Sequence, residues 1–176
     1  MRVRPAGDDV PSPALVAAWL ELGVLRTESV PLWAAHWIVA GYDGEHLVHL
    51  AGLHGDDPND VRDVLPQALE ECGAAAPGTK AVAAAVAFTD LASAYLSGRA
   101  SEERILRHAY ELISRSGYLI EVMDLPLGEL FGIYDEWDAG WGRTKESLAD
   151  AIRKACEEQV AHRGRPAERG KTDLSG

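Results

Sequence analysis

Apolar residues at helical spacing, bounded by helix start and stop signals, recur along most of this chain. The clearest series runs at offsets of 0, 3, 4, 7, 8 and 11 residues: Val61, Val64, Leu65, Ala68, Leu69 and Cys72. This spacing places one apolar stripe on an α-helix. Helix starts are marked as well, with caps predicted at Ser12, at Ser29, at Asp56 or Asp57, at Ser101 and at Thr144. Together these signals predict an all-α, single-domain bundle of about eight helices.

A few positions interrupt this pattern and carry predictions of their own. Pro66 should kink its helix or divide it into two short ones. Asp43 is expected to cap a short third helix. Residues 118–123 (YLIEVM) fit a short strand, an extended apolar connection or a helix, although a single strand has no obvious partner here. Gly128 and Gly132 would permit close backbone contact with a neighbouring segment.

The length of the chain suits one domain, because 176 residues can close a hydrophobic core without further support. Residues 1–162 are predicted to form a single helical domain, with a seam at residues 74–79 (AAAPGT) between two halves. Residues 163–176 have no apolar periodicity, and they are predicted to form a flexible tail.

The N-terminal residues resemble a signal peptide only in outline. Asp8 and Asp9 separate the first arginines from the apolar run, and Glu21 interrupts that run. The least charged stretch, residues 81–98, is mostly alanine and contains Asp90, so it is expected to be a buried helix rather than a membrane span. The sequence therefore predicts a cytoplasmic protein without a membrane partner.

The chain is acidic, and its acidity is concentrated in two places. The formal net charge is −11, which argues against nucleic acid as a partner because nucleic-acid binding needs clustered Lys and Arg. Residues 43–71 hold eight acids and one base, whereas residues 116–142 hold six acids and no base. The remainder of residues 10–162 is neutral overall.

Two interpretations of these acidic stretches stay open. Either the acids are dispersed over a solvated surface, as charge runs usually are, or both stretches share one face that steers a basic protein partner. Under the second interpretation, the partner-binding residues are Asp56, Asp57, Asp60, Asp63, Asp135, Glu136, Trp137, Asp138 and Trp141. The function predicted first is a non-enzymatic protein-binding domain, such as an immunity or antitoxin-like inhibitor of bacterial type or a regulatory subunit.

Clustered histidines support an alternative function. His46, His49 and His54 lie close in sequence to Asp56 and Asp57, and imidazole and carboxylate groups bind transition metals. The spacing matches no specific metal motif, so the histidines can equally be ordinary surface or boundary residues. The alternative is therefore a helical enzyme or small-ligand binder that depends on a metal at residues 45–57.

Tryptophans supply a metal-free version of this alternative. An apolar pocket with one polar group would be lined by Trp19, Trp33, His36 and Trp37. Aromatic residues at helical spacing more often build a core, which is the competing interpretation. His108 and Glu111 are expected to form a boundary hydrogen bond rather than a catalytic dyad.

Catalytic motifs are missing from the sequence. The chain has no P-loop, no dinucleotide-binding glycine fingerprint and no G-x-S-x-G nucleophile elbow. The sequence therefore favours a protein without enzymatic activity, and no cofactor is predicted.

Overall fold

The computed structural model describes residues 10–162, a range that contains α-helices, one 3₁₀ helix and no strand. The helices are α1 (Pro13–Leu22), α2 (Val30–Val39), α3 (Glu45–Ala51), α4 (Pro58–Glu71), α5 (Lys80–Leu96), α6 (Glu102–Arg115), α7 (Ile120–Met123), α8 (Leu130–Trp137) and α9 (Lys145–His162), with the 3₁₀ helix at Pro126–Glu129. The predicted all-α bundle is confirmed. The predicted tail at residues 163–176 lies outside the described residues. In the described range, each helix is too short or too polar to cross a bilayer.

Side-chain caps fix where several helices begin. The side-chain oxygens of the predicted capping residues accept backbone N–H groups over 3.0–3.4 Å, at Ser12, Asp57, Ser101 and Thr144. These bonds satisfy N–H groups that have no partner inside the helix. These four predicted caps are thus confirmed, with Asp57 rather than Asp56 serving α4. Ser29 is the N-cap residue of α2, but its side chain makes no capping hydrogen bond, so the predicted side-chain cap at Ser29 is wrong.

The start of α3 is held by a different residue from the one predicted. Gly44, not Asp43, is the N-cap residue, and it has no side chain to offer. Glu71, at the end of α4, accepts hydrogen bonds from the backbone N–H groups of His46 at 3.2 Å and Leu47 at 2.9 Å. A Cβ at Gly44 would overlap the Glu71 side chain. The cap of α3 is therefore tertiary, which local sequence cannot reveal.

Pro66 does not divide its helix. A single helix, α4, runs from Pro58 to Glu71 through this proline, so the predicted division into two short helices is wrong, and the predicted kink stays a prediction. Pro66 and Arg62 are both exposed. The Arg62 carbonyl that Pro66 leaves without its helical donor therefore lies on the side of α4 where water can serve it.

Residues 118–123 form neither a strand nor an extended connection. Gly117 and Tyr118 adopt left-handed backbone angles, with φ of 78° and 58°, and they end α6. The chain then enters α7, in which the backbone N–H groups of Val122 and Met123 both donate to the Leu119 carbonyl at 3.0 Å. A helical turn satisfies these polar groups locally, whereas a strand would need a neighbour to pair with.

The core consists of two clusters that share α1. Val16 and Ala17 of α1 belong to one cluster, together with residues of α2, α3 and α4. Leu15, Ala18 and Leu22 of α1 belong to the other cluster, together with residues of α5 to α9 and of the 3₁₀ helix. The central helix α5 contacts α1, α6, α7 and α9. The chain passes from one cluster to the other at the loop of residues 74–79.

A buried amide and a glycine position the segment before α8. The Gln159 side chain accepts a hydrogen bond from the Leu127 N–H at 3.2 Å and donates to Thr89 Oγ1 at 3.3 Å. A Cβ at Gly128 would overlap the Met123 carbonyl, whereas a Cβ at Gly132 would meet nothing within 4 Å. Close backbone contact is thus confirmed at Gly128 and wrong at Gly132.

Candidate functional sites

The first acidic stretch, residues 43–71, uses part of its charge inside the fold. Glu71 caps α3, and the hydrogen bond from the His46 side chain is the main cause that lowers the pKa of Glu71. Asp57 caps α4. The other predicted partner-binding residues, Asp56, Asp60 and Asp63, are exposed. They lack an exposed aromatic neighbour within this stretch.

The three histidines of this stretch do not assemble into a metal site. His46 Nδ1 lies 2.9 Å from Glu71 Oε1, while His49 and His54 are exposed. Among residues 10–162, no group of three or more His, Cys, Asp or Glu side chains is placed to hold a metal ion. The structure therefore does not bring together the ligands predicted for a metal. The three histidines are close in sequence, but the His46 side chain contacts Glu71 at the start of α3, and His49 and His54 are exposed.

Two bases that directly follow the second acidic stretch neutralise part of it. The Arg143 guanidinium contacts Glu136 Oε2 at 2.8 Å, and the Arg143 backbone N–H donates to Glu136 Oε1 at 2.7 Å. The Arg143 side-chain hydrogen bond is the main cause that lowers the pKa of Glu136. Lys145 Nζ lies 3.9 Å from Asp138 Oδ1 and 4.7 Å from the centre of the Trp137 ring. Glu136 and Trp137 are half-buried, and each contacts one of these two bases.

The remaining members of the predicted set are free at the surface. Asp135 is exposed, and Trp141 is 71% exposed. Asp135 directly precedes Glu136 in sequence, and Trp141 lies within the segment between Glu136 and Arg143. The pair fixes the loop after α8, so Trp141 is presented from a closed loop rather than from a helix.

Four aromatic side chains that the sequence did not single out pack together beside this stretch. Tyr110 of α6 stacks on Phe131 and on Tyr134 of α8, with ring centres 5.4 and 4.6 Å apart. The Tyr118 ring meets the edge of Phe131 at 5.8 Å. Interaction with the Tyr118 hydroxyl is the main cause that raises the pKa of Tyr110, and the charge of Asp135 raises it further. Tyr110, Tyr118, Phe131 and Tyr134 are called the aromatic cluster below.

The backbone at Tyr118 is unusual. Its φ of 58° is the single left-handed angle at a non-glycine residue among residues 10–162. For a bulky side chain this conformation costs about 1–2 kcal/mol. Such strain persists where surrounding contacts hold it, and it is concentrated at functional sites. Here the contact with Phe131 holds the Tyr118 ring in the aromatic cluster.

Exposed apolar residues extend the aromatic cluster. Tyr118 is 49% exposed, Leu119 39%, Ile120 71% and Tyr134 37%. Three exposed acids, Glu121, Asp124 and Asp135, belong to the same segments. We call this region the aromatic–acidic surface: the aromatic cluster with Leu119, Ile120, Glu121, Asp124 and Asp135. Sequence periodicity missed it because Phe131 and Tyr134 share the helical stripe of buried Leu127 and Leu130.

The two acidic stretches belong to different parts of the core. Helix α4 packs against α1 and α3, whereas α8 packs against α6, α9 and the 3₁₀ helix. These contacts place the two stretches on different sets of helices, and the sharing of one face by their acids stays a prediction. Each stretch is supported by its own hydrophobic cluster.

The tryptophans of α1 and α2 divide between core and cleft. Trp37 is 3% exposed, and its indole N–H donates to the Pro11 carbonyl at 2.9 Å. Trp19 and Trp33 are half-buried and line a cleft of about 600 Å³ that His36 and Trp37 do not reach. The predicted four-residue pocket is therefore wrong. His108 and Glu111 line the same cleft, and within the described residues no hydrogen bond joins them.

No protein-family model, curated protein or solved structure matches this chain. Function is therefore inferred from the side chains that the fold brings together.

Proposed function

We propose that this chain is a non-enzymatic, cytoplasmic protein-binding domain whose aromatic–acidic surface engages a basic protein partner. The observation that carries the proposal is the exposure of Tyr118, Leu119, Ile120 and Tyr134 in or beside segments that contain no Lys or Arg. Contiguous exposed apolar residues mark interaction sites. Aromatic residues supply most binding energy at the centres of such interfaces.

The charge around this surface specifies the partner. Glu121, Asp124 and Asp135 are exposed carboxylates in a stretch with no base of its own. An acidic rim attracts a partner that carries Lys and Arg, and it accelerates association more than it raises affinity. Tyrosine rings in the centre also accept arginine side chains through cation–π contacts.

Two kinds of protein fit this description. An immunity or antitoxin-like inhibitor would cover the basic substrate-binding surface of a toxin, such as a nuclease. A regulatory subunit would bind a basic surface of the enzyme or assembly that it controls. Both use the same surface, and the identity of the captured partner distinguishes them.

The acids of α4 have a supporting role in this proposal. Asp56, Asp57, Asp60 and Asp63 add negative charge to the protein, but residues 43–71 present no exposed aromatic side chain. Because steering acts over about 10 Å at ordinary ionic strength, charge outside the contact area affects association only modestly. We assign docking to the aromatic–acidic surface.

Affinity capture from a native extract tests the proposal with a matched pair of variants. The double variant Ile120→Ser, Tyr134→Ser removes apolar area from the aromatic–acidic surface, and Val39→Ser removes an apolar side chain that is 86% exposed on α2. Wild type and Val39→Ser should retain the same basic protein at equal yield, and the double variant should lose it. Equal retention by all three proteins would refute the proposed surface.

A further inference from the structure

A cleft at the junction of the two core clusters has the size and composition of a small-molecule site. Its volume is about 600 Å³, and residues of α1, α2, α5 and α6 line it together with the loop after α1. Apolar side chains form its wall: Trp19, Val24, Trp33, Ala87, Leu91 and Leu112. Ligand sites in proteins have volumes of about 300–1,000 Å³ and are mostly apolar, with a few polar groups that orient the ligand.

The two tryptophans of this cleft favour an aromatic guest. The Trp19 and Trp33 rings lie 6.0 Å apart between centres and are tilted by 52°. Both side chains are half-buried, so each keeps part of its ring surface free. Trp19 packs against both core clusters, which fixes its position. Rings held in this way provide flat contact area at little further cost in entropy.

Charged groups of both signs face the same cleft. Arg26 and Arg107 supply two guanidinium groups, and Asp90 and Glu111 supply two carboxylates. Within residues 10–162, none of these four groups forms an ion pair. All four residues are exposed, so their charged groups are accessible to ligand charges of opposite sign, with which they can form charge-assisted hydrogen bonds.

The pKa shifts of two residues that line the cleft, Asp90 and His108, are consistent with their partial burial. Burial raises the pKa of Asp90, and the charge of Arg99 opposes this effect. Burial lowers the pKa of His108, and the charges of Arg104 and Arg107 lower it further. The lowered pKa favours the neutral imidazole of His108, which has one N–H donor and one acceptor nitrogen.

We infer that this cleft binds a small aromatic zwitterion, with its ring against Trp19 and Trp33. The carboxylate of the ligand would pair with Arg26 and Arg107, and its ammonium group with Asp90 and Glu111. A ligand with only one charge would satisfy half of these groups. This inference stands on the cleft alone and does not depend on the proposed protein partner.

A panel of four probes with the same ring system tests the inference by calorimetry. The probes are naphthylalanine, its N-acetyl derivative, its amide, and its N-acetyl amide, which carry both charges, the negative charge only, the positive charge only, and none. Naphthylalanine should bind at least about tenfold more tightly than each of the others, since each charge-assisted contact contributes about that factor. If none of the probes binds, or if a probe with one charge or no charge binds as well as naphthylalanine, the inference is wrong.

Charge-neutralising variants show whether binding occurs in this cleft. Arg26→Gln, Arg107→Gln should abolish the preference for a free carboxylate, and Asp90→Asn, Glu111→Gln should abolish the preference for a free ammonium group. Arg115→Gln and Glu103→Gln are matched controls, because both residues are exposed on α6 and do not line the cleft. If the controls change the preferences as much as the cleft variants, the probes bind elsewhere and the inference fails.

Discussion

The two acidic stretches of this chain are similar in sequence but differ in what their charge does. Residues 43–71 and residues 116–142 each hold at least six acids and at most one base. In the first stretch, Glu71 and Asp57 cap helices, and the stretch itself contains no Phe, Trp or Tyr. In the second, exposed acids accompany a packed aromatic cluster with exposed apolar edges.

This difference shows why a count of charges does not identify an interaction surface. A carboxylate can hold a helix end, neutralise a guanidinium or face a partner, and only its neighbours in space distinguish these roles. Glu136 illustrates the point, because Arg143 lies just beyond the base-free stretch and pairs with it. Apolar side chains left exposed beside the acids are the more specific feature.

The largest expected effect is on the affinity for the captured partner, which should fall for a variant of the second acidic stretch and not for a variant of the first. Ile120→Ser in the second stretch should weaken binding of the captured partner about 30-fold, the loss typical of an interface hot spot. Val48→Ser in the first stretch should leave affinity unchanged, although Val48 is 57% exposed. Titration calorimetry with the purified partner measures both values. A greater loss for Val48→Ser would assign docking to residues 43–71.

A second prediction concerns the backbone that supports the aromatic–acidic surface. Gly128→Ala should lower the free energy of unfolding by about 1–3 kcal/mol, because the new methyl group overlaps the Met123 carbonyl. Gly132→Ala is the matched control, and it should raise stability by about 0.5–1 kcal/mol, since alanine favours the helix and nothing obstructs it. Urea denaturation measures both changes. Equal effects of the same sign would show that α8 is not held as described.

A third prediction tests the structural use of charge in the first stretch. Glu71→Gln should lower Tm at pH 7, because it weakens the cap of α3, whereas Glu70→Gln should not change Tm. The pKa of Glu71 is lowered below its ordinary value of 4.5, so its contribution to stability is complete above that pH and is lost as the pH falls through the folded-state pKa. The Tm difference between Glu71→Gln and wild type should therefore shrink in acid. A difference independent of pH would contradict this role.

The smallest expected effect is on association rate. Neutralising the second-stretch acids with Glu121→Gln, Asp124→Asn and Asp135→Asn should slow partner association several-fold and reduce its dependence on salt. The corresponding triple variant of α4 replaces Asp56, Asp60 and Asp63 with Asn, and it should slow association less. Stopped-flow measurements across ionic strengths make the comparison. A stronger effect of the α4 variant would reverse the assigned roles.

The sequence was sufficient to predict most of the helices, but not α7 and not the sites. Apolar spacing and caps such as Ser12 and Asp57 act locally, so a linear reading finds them. The cap of α3 by Glu71, the stacking of Tyr110 on Tyr134, and the cleft between Trp19 and Trp33 each join residues from different helices. Tyr118 carried a weak local signal, because it follows Gly117 directly at the end of α6. Its left-handed backbone and its exposed neighbour Ile120 emerge only from packing.

The most direct test of the aromatic–acidic surface is hydrogen exchange of the wild-type chain, free and bound to its captured partner. The account predicts slower exchange on binding in residues 118–124 and 130–135, with residues 56–63 unchanged. Protection confined to residues 56–63 would contradict it, and would place the partner on the acids of α4 instead.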